Sequence, residues 1–326
     1  MPANVTPEYE RAERRYRQAA TDDERQAALQ DMLSTIPKHK GTEKMQADIK
    51  RRLSLLRKDQ PKSSHVKGPD PFHIPKTGAG QVVLVGPPNT GKSSLVRVAT
   101  HAEVKVAEYP FTTVVPHPGM WSKDDVQIEL VDTPPLTPEH VPAGLMGTIR
   151  NADLVCVVGE AGDEGLDQIE SVLGGLSARG LTLRTAPRDA FDVAEPSQRP
   201  GLIVVNKGDI VGADTGSTLR ELYAGRLEVL VVSAQTGQGL DQWFGRLWSL
   251  LAMVRVYSKH PGRPADLRKP FTLPRGSTVA DLARLIHRDL AETMKSARLW
   301  GHGRFEGQLV HKTEVLADRD VVEIHE

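Results

Sequence analysis

The sequence predicts an α/β protein with a mostly parallel sheet, and three observations lead there. Short apolar runs (Val82 to Val85, Ile128 to Val131, Leu154 to Val158, Gly201 to Val205, Val229 to Val232) alternate with helical stretches near 164 to 179, 216 to 225 and 239 to 253. Alternation on this scale means a sheet covered on both faces. The first run enters a glycine-bounded loop, Gly86 to Gly91, followed by a helix start at Lys92-Ser93. Polar residues (Asp132, Asn206, Ser233) stand where later runs end, and in such sheets ligands sit at the carboxyl ends of the strands.

Composition sets outer limits. The 326 residues leave room for two domains and an appendage, and a 39% hydrophobic share is that of a globular protein with a core. Lys plus Arg (42) equals Asp plus Glu (42), so any nucleic-acid contact must come from local patches. DNA binding is not indicated. The single cysteine, Cys156, lies in the apolar run DLVCVVG and reads as a buried small hydrophobe, which excludes a disulfide framework. The first residues are charged, and no apolar run reaches the roughly 18 residues of a membrane span, so a cytoplasmic location is expected.

Residues 1–65 read as a basic helical region, with a helical hairpin over 7 to 59 and apolar positions at helical spacing at Met45, Ile49, Leu53 and Leu56. Between Lys38 and Lys62 basic residues far outnumber acids, leaving one face as either a phosphate-backbone binder or a solvated helix surface. Residues 66–80 carry prolines and glycines without periodicity and read as a linker, with packing expected at Phe72 and Ile74.

The domain expected over 81–253 opens with QVVLVGPPNTGKSSL, a strand, a glycine loop and a helix start at P-loop spacing. A helix N-terminus is an anion site, and the glycines Gly86 and Gly91 let the backbone close on phosphates. Pro87 and Pro88 have no N–H, but they precede the amides of Asn89, Thr90, Gly91, Lys92, Ser93 and Ser94 that form the cradle. Lys92 meets the β- and γ-phosphates, the Ser93 hydroxyl meets Mg2+, and Asp132, at the end of IELVD, reaches the magnesium shell. Asn206-Lys207-Gly208-Asp209 ends the run LIVVNKGD and is expected to bind the nucleotide, with Asn206 and Asp209 choosing guanine. A carboxylate there accepts two hydrogen bonds from guanine N1–H and its amine, a pattern adenine cannot supply, so an ATPase is disfavoured. Ser233-Ala234 ends VLVVSA, where a backbone amide can meet the guanine carbonyl.

With these motifs on the page, the chain resembles the Obg-related GTPases, most closely the developmentally regulated GTP-binding (DRG) branch. The likeness covers the basic stretch PKHKGTEKMQADIKRRLSLLRKD, the loop GPPNTGKSS, EYPFTTVVP, NKGD, SA and the tail from Val254. It implies a switch that binds GTP and hydrolyses it to GDP. It also implies that Thr113 closes over Mg2+ and the γ-phosphate, and that Asn89 helps to hold a catalytic K+, unless Asn89 merely caps its loop. Lys92, Thr113 and Asn89 are thus the catalytic candidates, and Ser93, Thr113 and Asp132 the metal ligands. Leu136 stands where Ras-like enzymes carry a glutamine.

Two departures stand out. The family glycine whose amide bonds the γ-phosphate is replaced by Pro135, which has no N–H. Either this is a tolerated variant or turnover is slow or partner-dependent, and a neighbouring amide such as that of Leu136 is a candidate substitute. Where DRG relatives insert a small domain, between Leu181 and Pro200, a bare loop is expected.

The tail 254–326 reads as strand, turn, strand, amphipathic helix (Val279, Leu282, Leu285, Ile286) and closing strands. It resembles the TGS domain, a ubiquitin-like β-grasp fold. Its histidines fit no zinc spacing. The resemblance, the basic helix and the TGS unit together imply a ribosome or structured RNA as partner. No side chain is an evident general base, so catalysis would rest on positioning and charge neutralisation. A non-hydrolysing guanine-nucleotide sensor or scaffold, acting through RNA or protein binding, is the alternative that Pro135 favours.

Overall fold

The computed structural model describes residues 7–19, 22–36, 42–59, 70–100, 115–137, 141–142, 144–162, 164–192, 195, 197–211, 213–301 and 305–325. The chain divides into two units, Met1–Asp70 and Pro71–Glu326. Among the described residues no helix is long and apolar enough to cross a membrane.

Among its described residues the first unit holds three helices, α1 (Pro7–Gln18), α2 (Asp22–Thr35) and α3 (Glu43–Asp59), in place of the expected hairpin of two. The sequence Thr21-Asp22-Asp23-Glu24 carries the S/T-x-x-E pattern of a helix start, and α2 begins within it. Tyr9, Ala12, Leu29, Met32, Ile36, Ile49 and Leu53 bury against one another as a small core of this unit. On the outward side of α3, Lys44, Lys50, Arg51 and Arg52 are exposed. Arg52 pairs with Asp48 at 2.8 Å and lies over the Tyr16 ring.

The second unit begins with a strap, residues 71–80, most of the expected linker. It is pinned by its side chains. The Thr148 hydroxyl donates to Phe72 O (2.6 Å), Lys76 reaches the buried Asp153 (2.5 Å), and Thr77 donates to the buried Glu129 (2.7 Å). Arg188 also pairs with Asp153 (3.1 Å) and Gln81 donates to Glu129 (2.8 Å), so both interior carboxylates are matched.

The strap leads into β1 (Gln81–Val85). Next come α4 (Lys92–Thr100), the hairpin β2 (His117–Lys123) and β3 (Val126–Asp132), then α5 (Leu145–Asn151), β4 (Leu154–Glu160) and α6 (Gly165–Ser177). β5 (Thr182–Arg184), β6 (Gln198–Asn206), α7 (Ala213–Leu222), β7 (Val229–Val231) and α8 (Leu240–Leu251) complete the layer. The sheet order is β2-β3-β1-β4-β6. The outer edge of β6 is shared by β5 beside its first residues and β7 beside its later ones. Among the described strands of this sheet only β2 runs antiparallel. Alternate residues of each central strand feed two cores. Val82 and Leu84 meet α4 and α8 through Leu95, Trp243 and Leu247, while Val83 and Val85 share the core of Ile149, Ile169, Val172 and Tyr223. A strand buried on both faces reads as the continuous apolar run seen in the sequence. Cys156 is buried there, and burial pushes its thiol up to about 12.

Two features were not legible as runs. β2 contains Pro118 and Gly119 and is an edge strand, where proline is tolerated. The stretch 181–200 is not a bare loop. It carries β5, a turn of 3₁₀ helix at Arg188–Ala190 and the start of β6, with Arg184 stacked on the Phe191 ring at 4.8 Å. A three-residue strand whose only apolar side chain is Leu183 has no periodicity to show.

After α8 the chain turns through Ala252, left-handed at φ 53°, into β8 (Met253–Lys259). β9 (Phe271–Pro274), α9 (Val279–Ile286), α10 (Arg288–Thr293), β10 (Ser296–Trp300), β11 (Gln308–Val310) and β12 (Asp320–His325) follow. The order β11-β10-β12-β8-β9, with β8 and β12 parallel at the centre and antiparallel strands outside, is that of a β-grasp sheet. α9 starts with a capping box between Thr278 and Asp281 and buries Val279, Leu282 and Ala283 against the sheet.

Candidate functional site

The site forms at the carboxyl ends of β1, β3, β4, β6 and β7. β1 delivers Gly86 into a loop whose path requires glycine at two points. A Cβ on Gly86 would lie 2.3 Å from Val158 O, and one on Gly91, at φ +83°, would lie 2.2 Å from Asn206 Nδ2. Between them Asn89 is exposed and left-handed (φ 66°), and the buried Thr90 ties its hydroxyl to Pro87 O (3.1 Å). α4 then starts at Lys92, so the backbone from Gly91 to Ser94 presents the N–H end of a helix to the loop's interior.

Lys92 is 6% exposed and donates to Gly86 O (2.9 Å) and Pro87 O (2.8 Å). Burial lowers its pKa to about 8, with the Asp132 carboxylate pulling the other way. The ammonium is held over the loop by hydrogen bonds to two carbonyls, which suits it to receive an anion. The Ser93 hydroxyl donates to Asp132 Oδ2 at 2.6 Å, and Asp132 is 1% exposed. A hydroxyl and a carboxylate oxygen brought together next to the helix start are the hard donors Mg2+ prefers, so the residues present fit that ion.

Past β3, the Thr133 hydroxyl holds Leu84 O (2.6 Å), and Pro135 follows. Leu136, whose amide is the candidate substitute for the missing glycine amide, comes next. That N–H donates to Gly86 O at 3.0 Å, because the Leu136 side chain is fully buried in the second core and draws its backbone onto the loop. Thr113 lies outside the described residues.

The other half of the site is built by β6 and β7. Asn206 is buried, and its amide spans two loops. Nδ2 donates to Thr90 O and Oδ1 accepts from Ala234 N, both at 3.0 Å. It therefore braces the phosphate loop against the loop after β7, and the Ala234 amide is turned to Asn206. Lys207, left-handed at φ 62°, caps the 3₁₀ turn Gly208–Ile210 that carries the exposed Asp209. The buried Ser233 hydroxyl donates to Asp209 Oδ1 and accepts from Gln235 N (3.2 Å) and Thr236 N (3.1 Å), fixing the carboxylate at the rim.

Sequence reading missed one member. Glu160, at the end of β4, pairs with Lys207 through Oε2 and accepts from Gln168 Nε2 (2.9 Å) through Oε1. Burial works against its charge, but hydrogen bonds from Lys207 and Gln168 hold its pKa below the usual carboxylate range. Its signal was an acid closing an otherwise apolar run, LVCVVGE.

Comparison with known proteins agrees with this geometry. Residues 81–207 match the 50S ribosome-binding GTPase family, and residues 254–326 match the TGS domain. A GTP-binding protein of Halobacterium salinarum, itself uncharacterized, is 27% identical over 91% of this chain and 97% of its own. Developmentally-regulated G-protein 1 of Arabidopsis thaliana is 28% identical over 92% of this chain and 90% of its own. Developmentally-regulated GTP-binding protein 2 of Mus musculus is 25% identical over 92% and 98%.

Proposed function

The chain is a GTP-binding protein of the developmentally regulated type, a P-loop GTPase by fold with a C-terminal TGS domain, and we propose that it hydrolyses GTP to GDP and phosphate as a switch acting on the ribosome or a structured RNA. The observation that carries this reading is the convergence of Lys92, Ser93 and Asp132 on one helix start. Lys92 and the amides from Asn89 to Ser94 would orient the β- and γ-phosphates, and Lys92 would neutralise charge as the leaving group departs. Ser93 and Asp132 would hold Mg2+, which supplies further charge neutralisation when bound. Asp209, steadied by Ser233, would select guanine, and Asn206 would keep the two loops in register. Asn89, exposed on the loop, is the candidate ligand for K+. Thr113 keeps its assignment by resemblance.

The RNA partner is supported by the exposed basic row Lys44, Lys50, Arg51 and Arg52 on α3 and by the family name matched by the nucleotide domain. A second reading, a guanine-nucleotide sensor without turnover, is favoured by Pro135 and by the engaged Leu136 amide.

The deciding experiment is GTP turnover by the purified protein in potassium and in sodium buffer, with and without ribosomes, with ATP as control. Turnover in potassium that rises with ribosomes is expected. Tight GTP and GDP binding with no phosphate release in any condition would overturn hydrolysis and leave the sensor.

A further inference from the structure

β3 has a different neighbour at each end. Its last residue, Asp132, accepts from Ser93 at the phosphate loop. Its first, Val126, follows the turn Asp124-Asp125, and that turn is gripped by the β-grasp domain. Arg255 on β8 is 11% exposed and forks between two carboxylates. Nη1 donates to Asp125 Oδ1 (2.9 Å), while Nη2 (2.6 Å) and Nε (3.0 Å) donate to the two oxygens of Asp318. The Tyr257 hydroxyl donates to the second oxygen of Asp125, and the Arg255 guanidinium lies 5.4 Å from the Trp248 ring of α8. Bidentate and charge-assisted bonds at low exposure are the strong class of polar contact. Burial opposes ionisation of Asp125, yet Tyr257 and Arg255 hold its pKa below the usual carboxylate range, so the contact is a charged one.

Between the two ends runs one unbroken seven-residue strand, about 20 Å long at strand rise. It is registered to β2 from His117↔Asp132 to Lys123↔Val126, and its later half pairs with β1 from Gln81↔Glu129 to Leu84↔Asp132. Lys123, at the end of β2, is held by Asp241 of α8 (2.5 Å) and lies over the Phe244 ring. One continuous ladder therefore joins the turn at Asp125 to Asp132.

We propose that the β-grasp domain governs the nucleotide site through this strand, with Asp125, Arg255 and Tyr257 as positioning residues for Asp132. The proposal rests on the nucleotide-site reading above and adds its regulation. The sign follows from the geometry. With the clamp closed, the Ser93 hydroxyl is spent on Asp132 and the Leu136 N–H on Gly86 O. A triphosphate with its metal has to break more of this arrangement than a diphosphate does. The closed clamp therefore favours GDP, and its release favours GTP. Linkage makes the effect reciprocal, so a bound triphosphate loosens the clamp.

The test uses the full chain. Affinities for GDP and for a non-hydrolysable GTP analogue are measured for the wild type, Asp125→Asn, Arg255→Gln, the double variant and Tyr257→Phe, with Arg288→Ala as a control on an exposed residue of the same domain. Asp125→Asn and Arg255→Gln should each shift the affinity ratio toward the triphosphate by about fivefold or more, the low end of measured couplings. The double variant should add little to the shift from Arg255→Gln, because both substitutions break the same Asp125–Arg255 pair. Tyr257→Phe keeps the ion pair and should shift the ratio less, and it serves if the charge variants fail to fold. In the wild type, amide exchange over residues 253–259 should be faster with the analogue than with GDP. A ratio within twofold of wild type in folded variants that still bind GDP, or a shift toward GDP, overturns the proposal while leaving the nucleotide site intact. A wild type that binds no guanine nucleotide overturns both.

Discussion

Asn206→Ala removes a side chain that ties two loops of the site together. Its amide bonds Thr90 O and Ala234 N, each at 3.0 Å, and it is 2% exposed, so truncation leaves a buried carbonyl and a half-buried N–H without their partners. Each orphaned group costs about 1–3 kcal/mol when water cannot reach it. Ala234 is partly accessible, so about 3 kcal/mol in total is the working figure, near the low end of that sum. For a domain of this size that is a fall of about 6–12 °C in the melting temperature of the nucleotide-free protein. The same truncation disconnects the phosphate loop from the loop after β7. GDP affinity should then drop by at least about tenfold, the equivalent of 1.4 kcal/mol of lost preorganisation. Thermal melting and titration with a fluorescent GDP analogue read the two effects separately. Melting within 2 °C and affinity within about twofold of wild type would refute the bracing role.

Other expectations follow from the same geometry. Asp209→Asn should exchange guanine for xanthine preference, because the amide donates where the carboxylate accepted; competition between GDP and xanthosine diphosphate measures it, and unchanged guanine selectivity would remove Asp209 from the base site. The Lys92 ammonium, lowered to about 8 by burial, regains its charge beside a phosphate. The complex then binds more protons than the free protein above that pH, so GDP affinity should fall by up to about tenfold per unit between about pH 8 and 9. Lys92→Arg, which does not titrate there, should abolish that slope. Glu160→Gln should weaken GDP binding about threefold to tenfold by freeing Lys207 from its pairing, with a melting temperature close to wild type; equal loss in an adenine-nucleotide control would show a global defect instead.

Sequence made the phosphate half of the site legible because its parts are local. Gly86 to Ser94 are contiguous, and the strand-loop-helix order fixes what their amides do. Asp132 was legible as an acid ending an apolar run. Asn206 was placed correctly at a strand end, but its partners are 116 and 28 residues away, and no local pattern tells whether an amide meets a base or another loop. The partner of the Leu136 amide was hidden for a related reason. Its engagement with Gly86 is dictated by where the leucine side chain packs, and that is a property of the assembled core. The central strands were readable as continuous apolar runs, whereas β2 and β5, with little apolar content and a place at the sheet edge, were not. The third N-terminal helix was hidden because α1 and α2 are separated by only three residues, none of them Gly or Pro.

The strap has a consequence in time. Lys76 precedes Asp153 by 77 residues and Thr77 precedes Glu129 by 52. On a chain made from its N-terminus at about 5–20 residues per second, the cation is out of the ribosome several seconds before the carboxylate it neutralises. When β3 and β4 arrive to extend the sheet, Lys76 and Thr77 are already tethered to the first strand, and Arg188 joins Asp153 later. Were the same residues supplied from the C-terminal side, the nascent sheet would have to stay open at its centre or close over bare charge. The order of the strap in the chain thus puts these partners ahead of the acids they match.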